Sequence, residues 1–295
     1  MNSSASYSYV GQIRGCFTNQ VPIPTVIQSV DDISEENDQI IIKSKNELFK
    51  ANLVFDSSLK INNSKDSKIY QHFYGCEVNF KENINLSKYP TLMDFNCDQG
   101  NWTHFFYTLP LSDKKIFIET TWISDQQNST IDEYMSEINE YIQKNLNYKK
   151  EYTFGYNEMG SIPMFHFQQK TEYKKIIKIG AAANLTRKST GYTFLNIQKF
   201  TKELVQKLIK NQIISNVQIQ SKYNFLDKIF IKVLLEEKSN MHKIFFRLFK
   251  KNNTKDIISF LSNDSNFMQV WKRSGDNIST LTLAFRTGTN FATLQ

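Results

Sequence analysis

Two runs of alternating apolar and polar residues, His104–Leu111 and Ile116–Trp122, flank the polar tetrad Ser112-Asp113-Lys114-Lys115. Strand periodicity around a four-residue polar break predicts an antiparallel hairpin. In the second run Ile116, Ile118, Thr120 and Trp122 fall on one face, and Phe117, Glu119 and Thr121 fall on the other. This places one carboxyl group on an apolar, aromatic sheet face. An antiparallel sheet flanked by helices is the simplest architecture for such a hairpin.

Strand-like segments surround the hairpin. They are predicted at Val26–Val30, Gln39–Lys43, Leu48–Phe55, 69–80, 91–97, 151–168 and Lys175–Ile179. A helix is predicted from Ser129-Thr130-Ile131-Asp132, a capping-box-like start, to about Leu146. Its apolar positions Ile131, Met135, Ile138, Tyr141 and Ile142 follow helical spacing. From Ser189 onward helical patterning dominates, at roughly 190–211, 223–237, 240–251, 254–262 and 264–272. The fold class is α+β: an antiparallel sheet flanked by helices, then a C-terminal helical cap. The expected division is an irregular N-terminus over 1–27, a sheet-rich region over 28–188, a helix and helical cap over 189–273, and an irregular tail over 274–295.

The 295 residues are 40% hydrophobic and 14% aromatic, enough for a sizeable core and too apolar for a disordered chain. No stretch of eighteen consecutive apolar residues is present, so no transmembrane helix is expected. The net charge is +7. Residues 199–273 carry 15 basic and 6 acidic side chains, net +9, which leaves −2 for the remainder. A basic, amphipathic helical segment suits an anionic membrane surface. It equally suits a solvated helical face. Nucleic acid is disfavoured, because the basic residues lie on apolar helices without a nucleic-acid module. The three cysteines, Cys16, Cys76 and Cys97, are widely spaced. That points to a reducing compartment and against a disulfide framework. No metal-ligand spacing, GxSxG elbow or GxGxxG fingerprint occurs, and no metal is expected. The N-terminus lacks a secretory signal pattern. His72, His104, His166 and His242 have no triad-like or metal-like neighbours and are read as structural.

Three places are candidates for chemistry. Glu119, if desolvated by its aromatic surroundings, would have a raised pKa and could hold a proton at neutral pH for delivery as a general acid. An exposed or salt-bridged glutamate is the competing structural reading. The second place is Ile179-Gly180-Ala181-Ala182-Ala183-Asn184, followed by Thr186-Arg187-Lys188-Ser189-Thr190-Gly191-Tyr192. Small residues after a strand permit close approach of a ligand, and the free N–H groups of a helix starting near Ser189 could hold a phosphate. A tight loop packed for steric reasons is the competing reading. The third, Glu158-Met159-Gly160-Ser161-Ile162-Pro163-Met164, reads as a rigid turn between strands.

These segments occur in a suggestive order: Gln71-His72-Phe73-Tyr74-Gly75-Cys76-Glu77-Val78, Leu92-Met93-Asp94-Phe95, Phe106-Tyr107-Thr108-Leu109-Pro110 and Phe117-Ile118-Glu119-Thr120-Thr121-Trp122. Gly160-Ser161-Ile162-Pro163-Met164, Ile179-Gly180-Ala181-Ala182 and Ser189-Thr190-Gly191-Tyr192-Thr193-Phe194 follow, with Phe225-Leu226-Asp227-Lys228 and Phe245-Phe246-Arg247-Leu248-Phe249 in the cap. From about residue 28 to about 270 the chain resembles the bacterial lycopene cyclases. That resemblance implies an FAD-dependent oxidoreductase-like fold and a non-redox cyclisation of lycopene ψ ends to ionone rings. It implies reduced FAD, with NAD(P)H as reductant. Lycopene or a related linear carotene would be the substrate, and the location cytoplasmic, peripheral to the membrane. Glu119 corresponds to the family's acidic strand motif and would be the proton donor or acceptor. Gly180, Ala181, Ala182, Ser189, Thr190 and Gly191 correspond to its second flavin-contacting motif.

Two departures accompany the resemblance. The family's opening Rossmann βαβ with GxGxxG should precede residue 28. Such a unit takes roughly thirty residues, and residues 1–27 do not supply it. The expectation is a chain lacking that segment. The strand ending at Asp56-Ser57 is followed by Ser58, where the family usually has Arg. The alternative function is a non-catalytic carotenoid- or lipid-binding fragment of the cyclase fold.

Overall fold

The computed structural model describes residues 29–45, 47–59, 69–126, 128–165, 167, 173–212 and 221–261. Its centre is a five-stranded sheet of β5 (Tyr70–Phe80), β6 (Thr91–Asp94), β7 (Thr103–Ser112), β8 (Lys115–Ser124) and β9 (Tyr152–Pro163). The strand order is β6-β7-β8-β5-β9, with every pair antiparallel. β7 and β8 form the expected hairpin, with Ser112 opposite Lys115 across the turn.

The two faces of this sheet have separate cores. Cys76, Val78, Phe106, Ile116 and Ile118 pack against Tyr134, Ile138 and Ile142 of α1 (Ile131–Lys144). α1 forms because Thr130 and Glu133 satisfy its first amides in a capping box, and because its buried residues follow helical spacing. On the opposite face, Phe105 of β7 and Ile123 of β8 pack with Phe230, Val233 and Leu234 of α3 (Ser221–Glu236). Met241 and Phe245 of α4 (Met241–Lys251) complete that core. α5 (Thr254–Leu261) follows α4. The alternation read from the hairpin is therefore observed, with Ile116 and Ile118 toward α1 and Ile123 toward the cap.

Two smaller sheets precede and flank the main one. β1 (Val30–Glu36), β2 (Gln39–Ser44) and β3 (Leu48–Ala51) form an antiparallel meander. β4 (Val54–Asp56) pairs in parallel with β10 (Ile176–Lys178). This parallel pair makes the chain a mixed-sheet α+β fold. After β10 the chain makes a 3-10 turn, Gly180–Ala183, and later enters α2 (Phe194–Ile209).

Several sequence expectations are corrected. The single strand expected over Leu48–Phe55 is two strands in different sheets, because the chain turns at Asn52-Leu53. A strand over Val30–Glu36 was not expected, and residues 26–28 of the strand expected over Val26–Val30 lie outside the described residues. Gly160–Pro163 is not a turn but the end of β9, with Gly160 opposite Phe73 and Pro163 opposite Tyr70. Pro163 is tolerated because β9 is an edge strand. No helix starts at Ser189: residues 188–190 form a turn and α2 begins at Phe194. The helix expected over 264–272 and His166 lie outside the described residues.

Candidate functional site

Cross-strand pairing assembles one row on the cap-facing side of the sheet. Tyr107 of β7 opposes Glu119 of β8, Glu119 opposes Gly75 of β5, and Gly75 opposes Glu158 of β9. Gly75 has a steric reason to be glycine. A Cβ there would lie 2.4 Å from Phe117 Cζ and 3.3 Å from Glu119 Cβ. The missing side chain lets the Phe117 ring fill the gap beside Glu119.

Glu119 is half-buried, and its carboxylate accepts a 2.8 Å hydrogen bond from Thr121 Oγ1. Burial raises its pKa from the usual glutamate range to about 7. The Thr121 bond opposes that shift, and the Glu158 charge adds to it. Glu119 therefore exchanges its proton near neutral pH. The exposed-glutamate reading does not hold.

The phenols of Tyr107 and Tyr192 lie close enough to Glu119 for its charge to act on both. Both have raised pKa values, chiefly from burial, so both are neutral acids at physiological pH. Both line an apolar cleft of about 590 Å³, including its open mouth, between sheet and cap. Phe105 and Ile123 form its floor, Phe230, Phe245 and Phe249 its helical wall, and Ser189 and Thr190 its third side. Glu119 is not itself on the lining. Its cross-strand partner Tyr107 is.

The Thr186–Tyr192 loop that closes the cleft is held by buried charges. Arg187 Nε and Nη2 donate to Asp227 of α3 at 3.0–3.1 Å and 2.7 Å. Ser189 Oγ and the Lys188 backbone N–H donate to the same carboxylate at 2.6 and 3.0 Å. Gly191 has φ +72, and a Cβ there would sit 2.5 Å from Gln71 Oε1 of β5. The loop also closes on itself, with Arg187 N–H donating to Tyr192 O and Gly191 N–H to Arg187 O. These bonds hold the segment as a turn and delay α2 by several residues. Gly191 is thus explained by packing on the sheet. Gly180 differs: its φ is +61 and nothing lies within 4 Å of where a Cβ would point.

The structure brings Ser189 and Thr190 to the cleft wall and Glu119 alongside it through Tyr107. Gly180, Ala181 and Ala182 form the separate 3-10 turn after β10. Arg187, Lys188 and Tyr192 fall within the second candidate stretch and Tyr107 and Asp227 within the motifs of the resemblance, but the sequence assigned none of them a role of its own. The Phe225-Leu226-Asp227-Lys228 stretch was the available signal for Asp227. The remaining polar network lies on the other face. His104 stacks on Trp122 with centroids 4.0 Å apart and bonds Thr120 Oγ1 at 2.8 Å. His72 bonds Tyr134 and Ser124. Burial lowers both histidines to about 4, so they are neutral members of the α1 interface. Among the described residues no group of His, Cys, Asp or Glu is placed to hold a metal, and no helix is long and apolar enough to cross a membrane.

A sheet and a helical cap flank an apolar cleft, and Glu119, raised to about 7 by burial, lies opposite one of its lining residues, Tyr107. The family described as lycopene cyclase protein matches residues 15–271, and the chain belongs to that family. The lycopene beta-cyclase of Pantoea ananas is 34% identical over 100 residues, a stretch covering 34% of this chain and 25% of that protein. Among solved structures, a geranylgeranyl bacteriochlorophyll reductase-like protein from Thermoplasma acidophilum is similar at TM-score 0.48 and 11% identity, over 88% of this chain and 68% of that one. A flavin-dependent brominase is similar at TM-score 0.45 and 11% identity, over 91% and 71%.

Proposed function

We propose that the chain takes part in carotenoid synthesis as a lycopene cyclase, with Glu119 as the acid. The observation that carries this is the protonatable Glu119 set among aromatic side chains at the edge of an apolar cleft. Protonating an unactivated alkene needs an acid that retains its proton at working pH and a site that excludes water. The proton adds to the terminal double bond of a ψ end. The resulting cation is closed by a new C–C bond to an internal alkene. Loss of a proton then restores a double bond in the ring. Atoms and oxidation level are unchanged, so the reaction is an isomerisation. Phe105, Phe245, Phe249, Tyr107 and Tyr192 present π faces that attract a carbocation.

Reduced FAD, renewed by NAD(P)H, is the proposed cofactor, held by Gly180, Ala181, Ala182, Ser189, Thr190 and Gly191. Two features fit such a group: the open approach over Gly180 and the unpartnered, buried Lys188 ammonium. When bound, the reduced ring would supply negative charge that stabilises a cation. A linear carotene such as lycopene is the proposed substrate. It would be drawn from a membrane met by the cap, where Phe246 and Ile258 are exposed among Arg247, Lys250, Lys251 and Lys255.

The test uses the full chain with FAD and lycopene-bearing vesicles. Flavin absorbance retained after gel filtration and ring-containing carotene in the extract are expected. Glu119→Gln is expected to keep the flavin and lose the product. Carotene binding with no ring product at any flavin loading would instead establish the non-catalytic binding fragment.

A further inference from the structure

The loop beside the cleft carries buried charges, and one of them, the Lys188 ammonium, has no hydrogen-bond partner. Arg187 and Asp227 are each 1% exposed and neutralise one another. The Asp227 carboxylate already accepts from Arg187, Ser189 and the Lys188 backbone. Lys188 is 3% exposed, and its Nζ has no hydrogen-bond partner. It lies over the Phe167 ring, 4.6 Å from the centroid. Next to it, Asn184 donates to Phe167 O at 3.2 Å while its own Oδ1 is unpartnered.

An unpaired buried ammonium is costly, and a cation–π contact recovers only part of that cost. An apolar side chain would pack at position 188 without the penalty. Burial lowers the Lys188 pKa to about 8, against the pull of Asp227, so the group is still largely charged at neutral pH. A buried positive charge without a hydrogen-bond partner therefore adjoins Ser189 and Thr190 in the chain, and these two line the cleft.

We propose that Lys188 is the counter-charge for an anionic group held against the 180–191 segment, and that this group is the reduced flavin ring. The inference rests on the flavin assignment made above. Lys188 acts through its field across the loop rather than by contact, since its Nζ is enclosed. Oxidised flavin is neutral at the ring, so the field stabilises only the reduced anion and raises the midpoint potential. A phosphate of the same cofactor is the other possible anion. It carries equal charge in both redox states, so a lysine serving it would leave the potential unmoved.

The test compares full-length wild type, Lys188→Met and Lys188→Arg, each loaded with FAD. Binding is read from quenching of flavin fluorescence, and potential by equilibration with a reference dye. Lys188→Met is expected to bind oxidised FAD like wild type and to lose about tenfold in relative affinity for the reduced form. For a two-electron couple this lowers the midpoint by about 30 mV. Lys188→Arg is expected to stay at the wild-type value. An unchanged potential in flavin-loaded Lys188→Met overturns the counter-charge and leaves the flavin assignment standing. Equal weakening of both redox states overturns the ring in favour of a phosphate. Wild type that takes up no FAD overturns the flavin assignment itself, and this inference with it.

Discussion

Replacing Glu119 with Gln should stabilise the protein, and only above the acid range. Burial raises the Glu119 pKa from 4.5 to about 7. The native state thus holds the proton more tightly than the unfolded chain does. Stability from this group is fully present below about pH 4.5 and is lost as pH rises through about 7. A shift of that size corresponds to at most about 3 kcal/mol at 1.36 kcal/mol per pH unit. Solvent reaches part of the half-buried side chain, so about 1–3 kcal/mol is the expected range. Gln cannot ionise, yet it still accepts the Thr121 hydrogen bond. Urea denaturation of both proteins at pH 4.5 and pH 8 reads the effect. The two should be nearly equal at pH 4.5, and Glu119→Gln more stable by about 1–3 kcal/mol at pH 8. A difference that is the same at both pH values, or a Gln variant less stable at pH 8, would refute the claim that Glu119 keeps its proton because it is buried.

Other perturbations test the supports of the site. Asp227→Ala leaves Arg187 and Lys188 buried without an anion and should cost about 3–5 kcal/mol by urea denaturation. A loss under about 1 kcal/mol would show that the loop does not depend on this carboxylate. Gly75→Ala places a methyl where Phe117 Cζ is 2.4 Å away. It should cost about 1–3 kcal/mol and reduce ring formation by displacing the aromatic wall beside Glu119. Lys188 has its pKa lowered from 10.5 to about 8, so its destabilisation is full below pH 8 and disappears as pH rises toward 10.5. The melting-temperature gain of Lys188→Met over wild type should therefore be largest near neutral pH and shrink by pH 10.

Local signals were legible where a single segment decides the outcome. The β7–β8 hairpin followed from a two-residue period interrupted by Ser112–Lys115, and the same period placed Glu119 opposite the face of Ile118. The start of α1 followed from Thr130 and its neighbours, because a capping box is complete within four residues. The environment of Glu119 was not legible. It depends on Gly75, Tyr107 and Glu158, which register places beside it from three other strands. The loop at Ser189 was misread as a helix start for a related reason. Its conformation is set by Asp227, some forty residues along the chain, and by the fit of Gly191 against Gln71. Gly160–Pro163 resembles a turn in isolation and is a strand because β5 offers it a partner.

The central claim is that a proton held by Glu119 initiates ring closure of a carotene. Running the FAD-loaded protein with lycopene in deuterated water tests it most directly. The Glu119 proton exchanges with solvent, so mass spectrometry should find one deuterium retained in each ring formed, and Glu119→Gln should form no ring. Rings formed without deuterium, or formed at the wild-type rate by Glu119→Gln, would contradict the account.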